Sequence, residues 1–199
     1  TPIAASKLLV SEVADRQLKQ QLEQEIFKID SYTNLVLQYL RLESFHDDLV
    51  LKKENIEDLV KEVIRKYAIF FIQKGLSVNL HDLDRSIVTD KKWLLVVIEQ
   101  ILSNSLKYTK EGGIEIYMED QELCIKDTGI GIKNSDQLRV FERGFSGYNG
   151  RMTQQSSGLG LYLTQKISQE LGHQIRIESE LGQGTTVRIK FSEVNLLIE

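Results

Sequence analysis

Three polar side chains are predicted to share one face of a helix in the middle of the chain. Gln100, Asn104 and Lys107 are spaced at i, i+4 and i+7, so they lie on one side while apolar neighbours face the other. An amide oxygen is a hard ligand that suits Mg²⁺, and a lysine ammonium group can meet a phosphate. A solvated helix face would have the same spacing, so this pattern alone does not establish a binding site.

A second pattern follows an apolar segment that is predicted to be a strand. Asp127 stands at the end of this strand, and Gly129 and Gly131 follow it. A carboxylate there can accept a hydrogen bond from an exocyclic amine, and glycines allow a flat ring to approach the backbone closely. A turn capped by an aspartate would give the same pattern.

A third pattern lies where a glycine-rich segment enters a predicted helix. The residues are Ser156, Ser157, Gly158, Leu159, Gly160 and Leu161. Backbone N–H groups and the positive end of the helix suit phosphate oxygens. The segment lacks the lysine of a Walker loop and does not follow a strand, so neither a P-loop nor a dinucleotide fingerprint is indicated. An ordinary loop before a helix is the alternative.

An α/β core is needed to position these three patterns. Helices are predicted at 56–74, ended by Gly75, at 91–108 after an Asp90 cap, and at 160–171. Strands are predicted at 49–51, 76–80, 113–119, 122–126, 174–178 and 185–191, and a long functional loop at 127–157. This mixture predicts an α+β fold, a two-layer α/β sandwich with helices on one face of a mixed sheet.

The first fifth of the chain predicts a helical hairpin. Residues 11–44 contain no Gly or Pro and carry a heptad seam, and residues 2–13 carry a second helical pattern. The seam residues are Leu22, Ile26, Ile29, Val36 and Leu40. One hairpin buries its seam poorly, so pairing with a second copy into a four-helix bundle is the favoured solution. A hairpin packed on its own globular domain is the alternative.

Composition excludes several classes of protein. The 199 residues are 41% hydrophobic and 27% charged, with a formal net charge of -4, so a broad basic field for nucleic acid is absent and we expect no nucleic-acid partner. One cysteine excludes an internal disulfide and suits a reducing compartment. No segment approaches the apolar length of a membrane span. The chain starts at Thr1 without a methionine, so we expect a fragment of a longer protein.

Taken in order, the patterns resemble the nucleotide-binding motifs of bacterial sensor histidine kinases. Asn104 with Lys107 and Tyr108 resembles the N box, and Asp127 with Gly129 and Gly131 the G1 box. The F box is represented by Val140, Phe141, Glu142 and Arg143, the G2 box by Gly158, Leu159, Gly160 and Leu161, and a later Gly-Thr pair by Gly184 and Thr185. The resemblance covers about residues 50–192.

This resemblance implies a Bergerat-type ATP-binding domain at 47–199, preceded by a dimerising and phosphotransfer hairpin at 1–46. It implies that Asp127 and Thr185 recognise adenine and that Asn104, assisted by Gln100, holds Mg²⁺. The remaining implied ATP contacts are Lys107, Tyr108, Gly129, Gly131, Phe141, Arg143, Gly158, Leu159 and Gly160. Positioning and charge neutralisation dominate phosphoryl transfer, so no strong nucleophile is required among them.

The implied reaction is transfer of the γ-phosphoryl group of Mg-ATP to a histidine on the hairpin, and then to an aspartate of a response regulator. Thr1 and Pro2 resemble the end of the H box His-Glu-x-Lys-Thr-Pro, so the accepting histidine is expected four residues before Thr1 and this chain alone is expected not to phosphorylate itself. Thr1 matches the position that orients water for dephosphorylation, so it joins Asn104, Lys107 and Arg143 as an implied catalytic residue.

The segment 141–151 is similar to the lid of kinases that sense peptide antibiotics beside ABC transporters. A homodimer, a response regulator and an ABC transporter are therefore the expected partners. The chain is expected to be the cytoplasmic portion of a membrane-anchored bacterial protein.

Two other functions remain open. One is a non-catalytic module that binds nucleotide and dimerises, and the other is a gyrase- or chaperone-like ATPase. Gln100 stands where many family members carry asparagine and where gyrase-like relatives use glutamate to activate water. Glutamine cannot act as a general base, which disfavours the second alternative.

Overall fold

The computed structural model describes residues 1–147 and 158–192. Residues 148–157, which belong to the predicted loop and lid, lie outside the described residues. The chain divides into two compact units, Thr1–Phe45 and His46–Glu199.

The first unit is an α-helical hairpin. Its helices are α1 (Pro2–Ser11) and α2 (Arg16–Arg41). Thr1 caps α1 by accepting a hydrogen bond from Ala4 N–H at 3.3 Å, and Asp15 caps α2. A salt bridge of 2.7 Å from Lys7 Nζ to Asp30 Oδ2 links the two helices. The hairpin leaves several large apolar side chains exposed, namely Leu8, Leu9, Leu18, Ile29, Val36, Leu37 and Leu40.

The second unit begins at His46, within a kinked 3-10 segment, Leu42–Asp48. Its helices are α3 (Ile56–Lys74), α4 (Lys91–Tyr108), the short α5 (Asn134–Gln137) and α6 (Gly160–Glu170). Its strands are β1 (Lys52–Asn55), β2 (Ser77–His81), β3 (Ser86–Thr89), β4 (Gly113–Glu119), β5 (Glu122–Asp127), β6 (Gln174–Glu180) and β7 (Gly184–Lys190).

Five strands form a mixed sheet in the order β2-β4-β5-β7-β6. The β2–β4 pair is parallel, and the pairs β4–β5, β5–β7 and β6–β7 are antiparallel. In register, Asp127 at the end of β5 lies opposite Thr185 at the start of β7. This register places residues far apart in the chain at one edge of the core.

The core lies between one face of this sheet and the helices. The buried side chains of α4 recur at helical spacing and end at Ser105 and Leu106. The strands contribute buried residues at alternate positions, among them Ile114, Ile116, Leu123, Ile125, Val187 and Ile189. The predicted two-layer α+β fold is confirmed.

Local capping explains where the main helices begin and end. Asn55 accepts a hydrogen bond from Asp58 N–H at the start of α3, and Gly75 ends α3 with a φ of 64°. Asp90 starts α4 by accepting a hydrogen bond of 3.0 Å from Trp93 N–H, while its other oxygen accepts one of 2.8 Å from Val50 N–H. Asp90 therefore joins α4 to the segment before β1.

One predicted strand was wrong, and one observed strand was not predicted. Residues 49–51 are not a strand, because the strand begins at Lys52, where a polar segment pairs antiparallel with β3. β3 itself was not predicted, since four residues after a short turn carry little periodicity. In the described residues, no helix combines the length and the apolar composition that crossing a bilayer would require.

Candidate functional site

The Asp127 carboxylate is buried at the end of β5 and is held by three hydrogen-bond donors. Gly129 N–H donates to Oδ1 at 2.9 Å, and Thr185 N–H donates to the same oxygen at 3.2 Å. The Ser105 hydroxyl group on α4 donates to Oδ2 at 3.0 Å. The carboxylate is only 6% exposed, so its orientation is fixed by the sheet, by the following turn and by α4 together.

Burial raises the pKa of the Asp127 carboxyl group above its ordinary value. The hydrogen bonds from Gly129, Ser105 and Thr185 oppose this effect, because each of them favours the charged form. The site therefore contains a desolvated acceptor whose charge depends on the donors around it.

Glycines around this carboxylate are required by close packing within the protein. A Cβ atom at Gly129 would lie 2.8 Å from both Asp127 Oδ1 and Tyr108 O. At Gly131, with a φ of 67°, a Cβ atom would collide with the Glu180 carbonyl group. These contacts explain both G1-box glycines without a ligand, and their approach to adenine stays a prediction.

The C-terminal end of α4 adjoins the turn after β5. Ile130 N–H donates to Tyr108 O at 3.3 Å, and the Lys107 ammonium group lies 5.1 Å from the centre of the Tyr108 ring. Lys74, at the end of α3, donates to Leu106 O and also to Thr109 O. The end of α4 that carries the predicted phosphate contacts is thus fixed from two sides.

The predicted metal ligands lie on the half-buried side of α4, and one of them faces α6. Gln100 and Asn104 are both partly exposed. A Cβ atom at Gly160, the first residue of α6, would lie 2.9 Å from Gln100 Oε1. The structure therefore brings the amide oxygen of Gln100 to the start of α6.

Among the described residues, no side chain caps the N-terminus of α6. Leu159 precedes the helix, and its apolar side chain cannot accept a hydrogen bond from the first backbone N–H groups. Gly158 packs against Gly144, which directly follows the F box. Gly144 N–H donates to Gly158 O at 3.0 Å, and a Cβ atom at Gly158 would lie 2.5 Å from the Gly144 carbonyl carbon. The F-box and G2-box segments are therefore in direct contact.

Thr185 meets Asp127 through its backbone, while its hydroxyl group contacts Ser179. The two hydroxyl oxygens, Ser179 Oγ and Thr185 Oγ1, are 2.9 Å apart. Ser179 also donates to Gly184 O and accepts from Ile132 N–H, each at 2.8 Å. Because the single Ser179 proton is used at Gly184, the Thr185 hydroxyl group donates to Ser179 and keeps its acceptor positions.

Other predicted site residues lie in the F box and in the helical unit. Phe141 is partly exposed, and Arg143 is exposed in the segment before Gly144. Thr1 belongs to the helical unit, where it caps α1. The structure brings the N-box, G1-box, G2-box and Gly-Thr residues of the second unit together through the contacts described above.

Three hydroxyl residues of the site were missed by sequence reasoning. Ser105 and Ser179 make the contacts given above, and Thr109 is fully buried with an Oγ1 atom that has no hydrogen-bond partner in residues 1–147 and 158–192. Ser105 had a usable signal, since it continues the core-facing stripe of Ile101 and Leu102 as a polar residue. Thr109 and Ser179 had none, because their neighbours are distant in sequence.

The polar groups of the site fit a purine nucleotide. The buried Asp127 carboxylate, and the Thr109 hydroxyl group that has no partner among the described residues, suit a ligand with polar ring edges. A Cβ atom at Gly129 would lie 2.8 Å from Asp127 Oδ1 and 3.1 Å from Thr109 Oγ1, so the two groups are close together. The N-terminus of α6 is the positive end of a helix dipole and suits phosphate. The amide oxygens of Gln100 and Asn104 on α4 are the candidate magnesium ligands, because Mg²⁺ prefers oxygen ligands.

Comparison with known protein families identifies this arrangement. Residues 89–195, which contain α4, the Asp127 turn, α6 and the last two strands, match the family described as histidine kinase-, DNA gyrase B-, and HSP90-like ATPase. The chain belongs to this ATPase family. The match covers more than half of the chain and includes every part of the site in the second unit.

Relatives by sequence are sensor kinases. The sensor protein kinase GraS of Staphylococcus aureus strain MRSA252 is 36% identical over 204 residues, and that of strain JH1 is 37% identical over 204 residues. Each match covers the whole of this chain but 59% of the relative, so the chain spans a little over half the length of these proteins. The resemblance to bacterial sensor histidine kinases is confirmed, and it favours them over the gyrase and chaperone branches of the ATPase family.

Solved structures of histidine kinases share the fold. Full-length ShkA in complex with AMPPNP has a TM-score of 0.71 at 23% identity, covering 94% of this chain and 41% of that chain. The Acinetobacter baumannii histidine kinase AdeS has a TM-score of 0.69 at 20% identity, covering 98% of this chain and 96% of that chain. The ATPase domain and the preceding helical region therefore both have counterparts in known kinases.

Proposed function

We propose that this chain binds Mg-ATP and transfers the γ-phosphoryl group to a histidine on a helical hairpin of the kind formed by α1 and α2. The observation that carries the proposal is the buried Asp127 carboxylate, held by Gly129, Thr185 and Ser105 beside the end of α4. A carboxylate in this setting recognises an exocyclic amine by accepting its hydrogen bond.

Different residues would bind different parts of the nucleotide. Asp127 and Thr185 would bind the adenine end, and the first amides of α6, at Gly158, Leu159 and Gly160, would bind phosphate oxygens. The cationic groups of Lys107 and Arg143, with Tyr108, would neutralise charge that moves during transfer. Aligning the phosphate with its acceptor accounts for most of the rate in such a site.

Mg²⁺ would be held by the amide oxygens of Asn104 and Gln100 together with the phosphates. Bound there, it would neutralise phosphate charge. Two neutral protein ligands are enough, because Mg²⁺ usually keeps waters and phosphate oxygens in the rest of its octahedron. The position of Gln100 beside Gly160 supports this assignment, since phosphate at α6 and metal on α4 would then be neighbours.

We also propose that the chain acts as a dimer with a response regulator as the next phosphate acceptor. The exposed apolar residues of α1 and α2 support dimerisation, and the sensor kinase relatives support the second partner. An ABC transporter partner and a membrane anchor in the full-length protein are supported by the sequence of residues 141–151 and by the greater length of the relatives. Thr1 would orient water for removal of phosphate from the regulator.

A labelling experiment tests the transfer. The chain is extended by the four H-box residues before Thr1, so that it carries the accepting histidine, and is incubated with Mg²⁺ and ATP labelled in the γ position. Label that is stable in base and lost in acid is expected on the extended chain, and none on the original chain. Label on His46, His81 or His173 of the original chain would contradict the proposed acceptor.

Variants of the extended chain assign the metal ligand. Asn104→Asp should abolish label, because a charged carboxylate changes the geometry at the metal, while Asn79→Asp on an exposed position of β2 should leave it unchanged. Mixing the unextended chain with the extended Asn104→Asp variant tests transfer between subunits. If the variant is labelled in the mixture but not alone, transfer occurs between chains. If the variant stays unlabelled in the mixture while the extended parent is labelled, transfer occurs within one chain.

A further inference from the structure

Ser105 is the one hydroxyl-bearing side chain among the buried residues of the fully described helix α4. It is only 3% exposed and follows Ile101 and Leu102 on the core-facing stripe. A hydroxyl group at such a position costs free energy unless it is hydrogen-bonded. Its partner is Asp127 Oδ2, at 3.0 Å.

The hydrogen bonds to Asp127 divide unequally between its two oxygens. A carboxylate has about four acceptor positions, two on each oxygen. The two backbone N–H groups of Gly129 and Thr185 both donate to Oδ1, and the Ser105 hydroxyl group donates to Oδ2. About one acceptor position is left, on Oδ2, and Ser105 determines which one it is.

We propose that Ser105 is a positioning residue for adenine recognition, whose hydroxyl group fixes the Asp127 carboxylate so that one acceptor position of Oδ2 remains for the exocyclic amine of the nucleotide. The inference rests on the proposed function, because it assigns a specificity role within the ATP site. Ser105 itself does not touch the nucleotide. Its effect is on the orientation and the charge of Asp127.

The electrostatics of the carboxylate agree with this role. Burial raises the pKa of Asp127, and Ser105 is one of three donors that lower it again. In the described part of the chain, the groups that face the carboxylate are the Ser105 hydroxyl group from α4, the Gly129 N–H group after β5 and the Thr185 N–H group from β7, and none of these three is titratable. Loss of the Ser105 donor therefore raises the pKa of Asp127 and extends the protonated form to higher pH.

The experiment compares two ligands and two buried serines. Binding of ATP and of purine riboside triphosphate, which lacks the 6-amino group, is measured by calorimetry for the parent, Ser105→Ala and Ser168→Ala. Ser168 is the matched control, because it is 1% exposed on α6 and its Oγ atom has no hydrogen-bond partner among the described residues. Ser105→Cys, which keeps a weak donor, is the second variant in case the alanine variant does not fold.

For Ser105→Ala, the Kd for ATP should rise about 3- to 10-fold, as expected for the loss of one hydrogen bond, while the Kd for the analogue changes less than about twofold. Ser168→Ala should leave both constants unchanged, and Ser105→Cys should fall between parent and alanine. As the pH is lowered from 8 to 5, the affinity for ATP should begin to fall at a higher pH in Ser105→Ala than in the parent.

Each result has a distinct meaning. The positioning role would be overturned if Ser105→Ala lost the same affinity for both ligands. It would also be overturned if the variant kept the parent's preference for ATP over the analogue together with the parent's pH profile. Absence of ATP binding by the parent chain would instead overturn the proposed function. A selective loss of ATP affinity, with the control unaffected, supports the inference.

Discussion

At the scale of single residues, the site depends on a charged group that the protein has removed from water. Desolvation disfavours the Asp127 carboxylate, yet a protonated Asp127 would present a hydroxyl donor where an acceptor is needed. The three donors around it counter the effect of burial. In the proposed ATP site, recognition of the amine would therefore depend on the whole cluster and not on the aspartate alone.

Replacing Asp127 with Asn should lower the affinity for ATP by about 1 to 3 kcal/mol, the range for a hydrogen bond to a charged group. The amide keeps one oxygen for the N–H groups of Gly129 and Thr185 but turns an NH₂ group towards the position that accepts the amine. Calorimetry with ATP measures the loss. Asp82→Asn is the control, since Asp82 is exposed and its φ of 53° is tolerated by asparagine. Equal ATP affinity in a folded Asp127→Asn variant would refute the assignment.

At the scale of secondary-structure elements, the residue that follows the F box lies in close contact with the G2 box. Gly144 and Gly158 approach through their backbones, and Gly158 has a φ of 67°. No side chain larger than hydrogen fits between them. The start of α6 is therefore coupled to the segment that carries Arg143.

Gly158→Ala should reduce both the thermal stability of the chain and its affinity for ATP. Gly182→Ala is the matched control, because Gly182 has a φ of 84° but no atom within 4 Å of its missing Cβ. In both variants an alanine must adopt the left-handed backbone conformation, which costs about 1 kcal/mol. Only Gly158→Ala also forces Gly144 away from α6. Thermal denaturation and calorimetry should separate them. Matching ATP affinities in the two variants would show that the close contact does not matter for binding.

The elements that position the site were largely predictable, and the contacts between them were not. The predicted bounds of α3 and α4 agree with the structure because caps mark their ends, at Gly75 and Asp90. The parallel pairing of β2 with β4 and the position of β7 beside β5 depend on long-range packing, which local patterns do not encode. For the same reason the sequence indicated Asp127 as a candidate but not its donor Ser105.

At the scale of the whole molecule, the helical unit exposes apolar surface that a second copy could cover. On α2, Ile29 is 55% exposed and Val36 is 47% exposed, seven residues apart on the predicted heptad seam. Covering such a seam is the usual driving force for a helical bundle.

Val36→Glu combined with Ile29→Glu should convert the chain to a monomer, because two charges would have to be buried in the bundle. Sedimentation velocity over a range of concentrations measures the association. Gln21→Glu, at an exposed polar position of α2, should leave the dimer intact. A parent chain that is monomeric at high concentration would rule out self-association through this hairpin.

Stability should also depend on pH through a buried histidine in the turn after α6. Burial lowers the pKa of His173 to about 4 from its ordinary 6.5. Ser192 N–H donates to Nδ1 at 3.3 Å, so the neutral ring carries its proton on Nε2 and donates it to Thr89 Oγ1 at 3.1 Å. A proton on Nδ1 would break the first of these hydrogen bonds.

Between pH 6.5 and about 4 the unfolded chain binds a proton at His173 that the folded chain does not. The free energy of unfolding contributed by this residue is therefore complete above pH 6.5 and is lost as the pH falls to about 4, by up to about 3 kcal/mol. His173→Gln should flatten the pH dependence of urea unfolding in this window, and His81→Gln, at an exposed position, should not. Identical slopes for parent and His173→Gln would exclude this source of acid sensitivity.

The hydrogen bond between Thr185 and Asp127 joins residues 58 positions apart, which has a consequence for synthesis of the protein. While the chain is still emerging from the ribosome, β4 and β5 can pair as soon as both are outside, but β7 arrives much later. Until then β5 has an open edge and Asp127 lacks one of its donors. We therefore expect that a nascent chain binds nucleotide only weakly until translation has passed β7, so that tight binding at the proposed ATP site marks a completed domain.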